Sequence, residues 1–595
     1  MRKLSLGAAA AAVAVLAVGF AAGGASSALG TQPDSQFGAS FAASSVNAVD
    51  ATTQKVSCYR PEVAYFDGLS PAEGYPAGGG TLCRSSVTTG EFQGPYDTQD
   101  QAGAANESML VKDHSESDIR VDPSDPSHLI GQSKWIVNAE GYNHLLGFYE
   151  SFDGGMTWST QGHVPGYEGW TDNTDPVGAF DPFGNFYSLI LPYNFYYSKS
   201  GEHLYNNGSN QTNPMVPPEA ISVAVHPHGS TGPNDWITKN IHGQPDFIET
   251  AKNANTSDPD KQWIAIDTNR SSPCFGTVYA MWTIFVINPS YMYVSTATAN
   301  PNGTHSDWTT AQVLPTINGR PWDTYLLPHV APDGTVYTTV TNNPQKKDFS
   351  TADIYTISSR DCGKTWLGPY PVVKDVNVPT YQNTTFREGI VNTFAVGKTP
   401  TGTRTNTSRS GNAYPLYVSF EDGSSGLSTV YIVASSDGGL NWSAPLRVND
   451  NPESDGTEAL QPNLNVAPNG TVGVAFYDRR LPCPAAGPDA QAAGLQFDPA
   501  KPYGAKNYCV NTAIQFYDKN LAPLGYNIRL SPHTWDPQLS APHPGCICRS
   551  GTFIGDYFGI DATSTTTYTT SVSTYNDGTN PNNYQQQIVT AVATP

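Results

Sequence analysis

The octapeptide SFDGGMTW, Ser151–Trp158, occurs twice more, as SRDCGKTW (Ser359–Trp366) and SSDGGLNW (Ser435–Trp442). Each copy keeps Ser at position one, Asp at three, Gly at five and Trp at eight. An Asp carboxylate so placed can accept backbone N–H groups across a tight turn, and Gly accepts a backbone conformation that a side chain would forbid. We therefore predict three equivalent turns, each with a Trp that packs between neighbouring structural units.

The three turns belong to a longer repeat of strands and polar turns. Its turn centres, DPFGN, APDGT and APNGT, carry the Gly or Asn that a tight hairpin needs. Each unit contains two hairpins, and a four-stranded unit repeated in this way predicts a β-propeller. The predicted fold class is all-β, with seven four-stranded blades by repeat count and six as the alternative. The competing interpretation is a pair of β-sandwiches. The units begin near residues 118, 175, 262, 328, 388, 461 and 555.

The two ends of the chain have predicted roles outside the repeat. Residues 1–28 combine a basic start, an apolar run and small residues, which indicates a secretory signal peptide; an uncleaved membrane anchor is the alternative. Residues 29–110 form a polar lead-in with one stapled loop, and residues 111–595 form the propeller. We expect the last strand, QQQIVTAVATP, to close the ring with a strand from the N-terminal region. The mature protein is expected to be secreted, free of the membrane and monomeric.

Charge and cysteine content restrict the partners and the compartment. The formal net charge is -21, which argues against nucleic acid or an anionic membrane surface as a partner. Eight cysteines favour disulfides in an oxidising compartment over a metal site. Cys58–Cys83 and Cys483–Cys509 are plausible local bridges. The pairing of four others stays open: Cys274, Cys362, Cys546 and Cys548.

The octets resemble the Asp box, the bacterial neuraminidase repeat of the sialidase-like β-propellers. The resemblance covers roughly residues 110–595 and departs at Asn441, where Thr is usual. It implies that each box joins the third and fourth strands of a blade, on the face away from the active site. It also implies a secreted, exo-α-sialidase-like glycoside hydrolase with a glycan or polysaccharide as substrate. A non-catalytic carbohydrate- or protein-binding propeller and a polysaccharide lyase are the alternatives.

Polar residues mark the point where each predicted unit begins. Ligands of propellers usually bind on the axis, where the innermost strands start, so these residues are candidates for a site. Paired carboxylates there suit glycoside chemistry, in which one protonates the leaving oxygen and another attacks or activates water. The candidates are Glu116, Asp118, Asp172, Asp175, Asp260, Gln262, His329, Arg387, Glu388, Glu458, Gln461, Asp556 and Tyr557.

A second candidate is the segment YDRR, Tyr477–Arg480. One of its two arginines could contact a substrate carboxylate while the other pairs with Asp478. The alternative is an Arg–Asp pair that only holds neighbouring blades together.

A sialidase uses an arginine clamp, a Tyr nucleophile assisted by a Glu, and an Asp acid/base. The Phe/Tyr-Arg-Ile-Pro motif that carries the first arginine is missing; the nearest match is CYRPE, at Tyr59–Pro61. No cofactor is expected, although a structural calcium ion is possible. The resemblance implies Arg387, Arg479 and Arg480 for the clamp, Tyr557 or Tyr477 as nucleophile, Glu388 or Glu458 to assist it, and Asp175 as the acid.

Overall fold

The computed structural model describes most of the chain from residue 113 onward, and one short segment before it. The described residues are 51–55, 113–136, 146–158, 160–164, 172–193, 196–197, 211–212, 219–230, 235–251, 258–285, 290–317, 322–343, 350–384, 386, 392–404, 411–495, 501–531, 533–539, 554–575 and 587–595.

Seven antiparallel sheets follow one another along the chain, each a blade of a β-propeller. This confirms the all-β prediction and the count of seven blades rather than six. In the first three blades the strands, from the axis outward, are β2 (Asp113–Val121), β3 (Leu129–Ile136), β4 (Leu146–Ser151) and β5 (Thr160–Val164); β6 (Asp172–Phe180), β7 (Phe186–Tyr193), β10 (Ala220–His226) and β11 (Phe247–Thr250); and β12 (Asp258–Ile266), β13 (Thr277–Phe285), β14 (Ser290–Thr298) and β15 (Gln312–Val313).

The remaining four blades continue the pattern, and the innermost strand of blade four is divided into two short pieces. From the axis outward, the strands are β16 (Asp323–Thr324) with β17 (His329–Val330), β18 (Val336–Asn342), β19 (Thr351–Ser359) and β20 (Leu367–Asn377); β21 (Asn392–Val396), β24 (Leu416–Asp422), β25 (Thr429–Ser435) and β26 (Leu446–Arg447); β27 (Ala459–Val466), β28 (Val472–Asp478), β29 (Asn511–Tyr517) and β30 (Ile528–Arg529); and β31 (Gly559–Ala562), β32 (Thr567–Ser573), β33 (Gln587–Ala593) and β1 (Ala51–Lys55).

Minor elements lie in the connections between these strands. Two ribbons of two strands each are present, and the short helix α1 and two 3-10 turns are the described helical elements. The ribbons are β8 (Tyr196–Tyr197) with β9 (Gln211–Thr212) and β22 (Gly402–Arg404) with β23 (Gly411–Ala413); α1 is Pro488–Ala493, and the turns are Glu453–Asp455 and Pro537–Leu539.

The ring closes by pairing the two ends of the described chain. Strand β1 pairs antiparallel with β33, with Ala51 opposite Ala593 and Lys55 opposite Val589. The outermost strand of blade seven therefore comes from the N-terminal region, as the sequence predicts. Closure of this kind removes the free edge that an open ring would present.

The three octets adopt the same turn between the third and fourth strands of blades one, four and five. In the first copy, Asp153 accepts the backbone N–H of Thr157 at 2.8 Å and its hydroxyl at 2.6 Å. The backbone N–H of Gly155 donates to Ser151 Oγ at 2.9 Å. Where Asn441 replaces Thr, its side-chain amide donates to the equivalent carboxylate at 2.7 Å. The hydrogen bonding expected from the sequence is thus confirmed.

The Trp that ends each octet packs between blades. Trp158 joins a cluster that contains Ile119 and Tyr149 of blade one and Tyr568 of blade seven. Trp366 and Trp442 pack against the clusters between blades three and four and between blades four and five. Burial of such large apolar surfaces between blades is the main stabilising term of the ring.

Two disulfides lie among the described residues. Cys483–Cys509 confirms the predicted local bridge. Cys274–Cys362, which the sequence left open, joins a loop of blade three to the octet of blade four. Cys362 occupies the fourth octet position at a φ of 60°, where the other copies carry Gly. The bridge therefore anchors a turn whose backbone conformation is unfavourable for a side chain.

Several predictions fall outside the described residues. They are the signal peptide, the bridge Cys58–Cys83, the pairing of Cys546 and Cys548, and the echo CYRPE. Among the described segments, no helix combines the length and the apolar character that crossing a bilayer requires.

His128 links two parts of blade one by contacting two carboxylates, one after the first strand and one in the third strand. Its Nδ1 lies 3.1 Å from Asp122 Oδ2 and its Nε2 lies 2.8 Å from Glu150 Oε1. Burial alone would lower the pKa of His128, but the hydrogen bonds and charges of these two carboxylates outweigh it and raise the pKa to about 9. The protonated imidazole therefore stabilises the folded state.

This His128 contact predicts a loss of stability at alkaline pH. A folded-state pKa near 9, above the unfolded value of about 6.5, means that its contribution is complete below pH 6.5 or so. It is lost as pH rises through about 9, and amounts to on the order of 3 kcal/mol. Urea unfolding from pH 6 to pH 10 should show this decline in the wild type and a flatter profile in His128→Gln. Equal profiles would contradict the assignment.

Candidate functional site

A β-bulge interrupts the innermost strand of at least four blades near the face where these strands begin, here called the upper face. The register shifts lie at Ser115/Asp118, Thr174/Val177, Asp260/Trp263 and Leu460/Asn463. At each bulge, one residue other than Gly has a positive φ. Tyr325 of blade four also has a positive φ, of 57°. The other four are Glu116 (48°), Asp175 (52°), Lys261 (55°) and Gln461 (46°).

Such a conformation costs about 1–2 kcal/mol for an L-residue. Repeated strain of this kind persists where the surrounding structure enforces it, and it is concentrated at functional sites. The bulges place charged or polar side chains around one end of the propeller axis. The upper end of the axis is therefore the first place to look for a site.

Four carboxyl groups and two lysines meet there, in what we call the axial cluster: Glu116, Lys134, Asp175, Asp260, Lys261 and Asp556. Lys261 Nζ lies 3.0 Å from Asp556 Oδ2 and 3.6 Å from carboxylate oxygens of both Asp175 and Asp260. Lys134 Nζ lies 3.4 Å from Glu116 Oε2 and 3.7 Å from Asp175 Oδ1. Asp175 also accepts a hydrogen bond from the Thr174 hydroxyl at 2.6 Å. The two lysines thus share Asp175 between them.

Glu116 and Asp175 have opposite pKa shifts. Burial, together with the negative charge of Asp175, raises the pKa of Glu116 well above its usual value. Burial would also raise the pKa of Asp175, but the charges of Lys261 and Lys134 and a hydrogen bond from Glu116 lower it to about 2. Within the pair, Asp175 is therefore the carboxylate that carries negative charge at neutral pH, and Glu116 is the carboxyl group that takes up a proton more readily.

The other charged members complete this arrangement. Burial raises the pKa of Asp260. Burial would lower the pKa of Lys261, but Asp260 and Asp556 outweigh it and raise the pKa well above its usual value. Lys261 also lies 5.8 Å from the centre of the Tyr325 ring, within range of a cation–π contact. Lys261 therefore remains charged at the centre of the cluster.

Side chains from three blades support the cluster from below. The Tyr557 hydroxyl donates to the carbonyl of Pro176 at 2.9 Å, and its ring packs edge-on against Trp263 at 5.3 Å. The Gln262 side chain donates to the carbonyl of Asp175 at 2.6 Å. Burial raises the pKa of Tyr557 well above its usual value, with the charges of Glu116 and Asp175 adding to the effect. The hydroxyl is therefore protonated at neutral pH.

Gly555 lets the backbone of blade seven approach Glu116. Its φ is 102°, and a Cβ at this position would lie 2.6 Å from the backbone N of Glu116. Both the positive φ and the close approach require Gly. The position of Glu116 thus depends on a backbone contact between the first and last blades.

Of the residues nominated from the sequence for catalysis, the structure places Asp175 in the axial cluster and Tyr557 directly below it. Glu458, Tyr477, Arg479 and Arg480 lie elsewhere, in blade six. Arg387 and Glu388 lie outside the described residues.

The blade-six residues form two closed ion pairs. Arg479 Nη1 donates to Glu458 Oε2 at 2.6 Å and to the carbonyl of Gln382 at 2.7 Å, and Nη2 donates to the carbonyl of Asn507. The pair of Arg479 and Glu458 has no exposed side-chain surface. It connects blade six to the segment that enters blade five.

Arg480 and Tyr477 are also enclosed. Arg480 contacts Asp450 and Asp478, each at 2.7 Å. Tyr477 is fully buried in the core between blades six and seven, and its hydroxyl accepts the backbone N–H of Val572 at 3.2 Å. Their roles as clamp and nucleophile stay predictions.

Two other sequence candidates lie below the cluster. Asp118 accepts the backbone N–H of Gly178 at 2.8 Å and pairs with Arg120 at 2.8 Å. His329 lies nearer the opposite, lower end of the axis and packs edge-on against Phe394 at 5.5 Å. The division of the innermost strand of blade four moves His329 away from the upper residues.

Sequence reasoning missed the two lysines and Tyr325. Lys261 stands between two nominated residues, Asp260 and Gln262, so the signal was present. It was missed because a lysine in a strand normally points to solvent, and the bulge that turns it inward leaves no clear trace in the sequence. Lys134 lies on the second strand of blade one, away from the start of the unit, where the sequence predicts the axial residues.

Within the described ranges, no group of three or more His, Cys, Asp or Glu side chains is arranged to hold a metal ion. The structural calcium ion therefore stays a prediction.

Comparison of the sequence with protein-family models gives no match, and comparison with curated proteins gives none either. Solved structures with similar folds include an α-L-arabinanase from Penicillium chrysogenum (12% identity, 70% of this chain and 92% of that chain, TM-score 0.34). They also include the NanB sialidase from Streptococcus pneumoniae (10%, 81% and 68%, TM-score 0.32) and an ulvan lyase of a polysaccharide lyase family (9%, 61% and 76%, TM-score 0.35). Similarities this distant carry no argument about activity.

Proposed function

We propose that the protein is an exported, sialidase-like glycoside hydrolase that acts on an acidic sugar or complex glycan at the upper end of the propeller axis. The observation that carries the proposal is the Glu116–Asp175 pair, two carboxyl groups that Lys134 contacts together and whose pKa values are shifted in opposite directions. Hydrolysis of a glycoside needs a protonated and a charged carboxyl group at one place. The two disulfides fit export to an oxidising compartment.

The roles within the pair follow from exposure and charge. The side chain of Asp175 is 11% exposed, against 1% for Glu116. Asp175 is therefore the member that faces a substrate, where its charge would stabilise the positive charge that develops on the sugar ring. Glu116 holds the proton of the pair behind it. The sequence nominated Asp175 as the acid; in this proposal the proton resides on Glu116 instead.

Lys261 gives the site its selectivity for acidic substrates. Its side chain is 12% exposed, the same order as that of Asp175, and it remains charged. A substrate carboxylate that approached this lysine would gain a charge-assisted hydrogen bond.

The test is the initial rate on a fluorogenic aryl α-sialoside, run beside a uronic-acid polymer assayed for unsaturated products. Asp175→Asn is expected to lower kcat/KM by about 10²- to 10⁴-fold, because it removes the charged carboxylate from the pair. Asp125→Asn is the matched control: Asp125 is exposed on the lower face and caps a turn through Ser127. Its rate should equal that of the wild type.

The outcomes separate the candidate functions. The proposal is supported if the wild type hydrolyses the sialoside and Asp175→Asn does not, provided that the variant shows the thermal unfolding transition of a folded protein. Unsaturated products from the polymer would point to a lyase instead. A wild type without activity on either substrate would contradict an enzymatic role and leave a binding propeller.

A further inference from the structure

The lower end of the propeller axis opens into a cavity of about 470 Å³. We call it the lower cavity; its lining includes Arg120, Trp263, His329, Lys398, Asn465 and Asp561. A volume of this size is typical of sites for small ligands. The lower cavity is formed by the ends of the innermost strands and the loops that follow them, on the face that also carries the octet turns.

The lower cavity is separated from the axial cluster. The space between them, lined by Trp263, Asp556 and Tyr557 among others, has a volume of about 20 Å³. This is room for about one water molecule. A ligand in the lower cavity would therefore occupy a site of its own, and the inference below does not rest on the proposed function.

Lys398 brings an uncompensated positive charge to the lower cavity. Among the described residues, no carboxylate lies within 4.0 Å of its Nζ and no hydrogen bond holds it. Its side chain is exposed to solvent, so the ammonium group keeps its hydration and its charge at neutral pH. An exposed lysine that lines a cavity and has no partner there is available to bind an anion.

Arg120 adds a second cationic group. Its Nε donates to the carbonyl of Gly178 at 2.8 Å and its Nη2 contacts Asp118 at 2.8 Å. These bonds fix the guanidinium and leave Nη1 without a partner among the described residues. Burial and the charges of Lys398 and Arg120 lower the pKa of His329 to about 3, so His329 adds hydrogen-bonding capacity but no charge.

The acid nearest to these cations is already committed. Asp561 accepts the backbone N–H groups of Val121 at 2.9 Å and Ala562 at 2.8 Å, and the side-chain amide of Asn465 at 2.8 Å. A carboxylate with three donors has little capacity left to neutralise Lys398. Its negative charge nevertheless remains, and it disfavours a ligand that carries two charges.

We propose that the lower cavity binds an organic monocarboxylate about the size of a monosaccharide, with its carboxylate on Lys398 beside Arg120. The Trp263 ring offers an apolar surface to the body of the ligand, and the neutral His329 offers a hydrogen bond. A single negative charge is favoured because one free lysine and one partly paired arginine face it, with Asp561 close by.

The experiment uses the full chain and D-glucuronate as the probe. Binding is followed locally, by the rate at which limiting acetic anhydride acetylates Lys398, measured by peptide mass spectrometry. Saturating glucuronate should slow this acetylation by about tenfold, because an amine in an ion pair is a poor nucleophile. Lys364 is the matched control, since it is exposed in an octet turn on the same face. Its rate should not change.

Affinity is measured in parallel by calorimetry. Lys398→Met is expected to weaken glucuronate binding at the lower cavity by about tenfold or more, the value of one charge-assisted hydrogen bond. Lys398→Arg should retain it, and uncharged D-glucose should bind about tenfold more weakly than glucuronate. Lys398 is exposed, so both variants should fold. Asp175→Asn should leave this binding unchanged, whatever it does to hydrolysis.

Three results would overturn the proposal. The first is that millimolar glucuronate does not slow the acetylation of Lys398. Another is an affinity that Lys398→Met leaves unaltered. The third is that inorganic phosphate slows the acetylation of Lys398 more than glucuronate does. That result would assign the lower cavity to a doubly charged ligand.

Discussion

Replacing Lys261 with methionine is expected to destabilise the propeller by about 3–5 kcal/mol, the usual cost of removing one partner from a buried charge group. Lys261 Nζ lies within 3.6 Å of the carboxylates of Asp175, Asp260 and Asp556. Without it, these buried acids lose their shared counter-charge. The measurement is the free energy of unfolding in urea at neutral pH.

The pH dependence of Lys261→Met gives the result a distinct signature. Loss of the lysine raises the folded-state pKa values of the three acids above their unfolded values of about 4. Acids of this kind destabilise the folded state as pH rises above the unfolded pKa. The deficit relative to wild type should therefore shrink as pH is lowered toward about 4.

Lys134→Met is the matched control for this measurement. Lys134 Nζ contacts Glu116 at 3.4 Å and Asp175 at 3.7 Å, and the pKa of Glu116 is already raised by its burial and by the charge of Asp175. Removal of Lys134 strands one charged carboxylate rather than three, so a smaller loss is expected. Equal losses for the two variants, or a loss for Lys261→Met that does not vary with pH, would contradict the charge distribution described for the axial cluster.

Replacing Arg479 with methionine is expected to cost a similar amount, about 3–5 kcal/mol. Arg479 Nη1 lies 2.6 Å from Glu458 Oε2, with both side chains fully enclosed. Its loss leaves Glu458 buried with only the backbone N–H of Gln382 as a described donor. Thermal and urea unfolding measure the change directly.

The double variant Arg479→Met with Glu458→Leu is the control for this pair. Removing both charges also removes the stranded carboxylate, so the double variant should be more stable than the single one. This test also separates a supporting Arg479 from the substrate clamp that the resemblance implies. A clamp arginine would raise KM in a protein of nearly unchanged stability, and that outcome would contradict the closed ion pair.

How much of the site could be predicted depended on the distance over which its residues interact. The sequence nominated Glu116, Asp175, Asp260 and Asp556 because each stands where an innermost strand begins, and these four do meet on the axis. The sequence could not show how the pKa values of these four acids differ. Burial and the charge of Asp175 raise the pKa of Glu116, whereas Lys261 and Lys134 lower that of Asp175 against the effect of its burial, and these two lysines belong to different blades from Asp175.

The blade-six residues illustrate the opposite error. Two arginines after a strand fit a substrate clamp and an interblade ion pair equally well. Arg479 is enclosed by three partners: the Glu458 carboxylate and the carbonyls of Gln382 and Asn507. These partners come from three separate segments of the chain. A motif four residues long holds no information about such partners.

The sequence by itself determined the propeller, because the features that specify it are local. An octet contains all the donors and acceptors of its own turn, and a unit of two hairpins contains the strand pattern of its own blade. The tertiary structure alone decided the axial cluster and the lower cavity. Both form only when seven blades close into a ring, since closure brings residues such as Lys261 and Asp556, 295 positions apart in the chain, into contact. Burial at that junction then sets their charges, through interactions too long-range for any sequence pattern to encode.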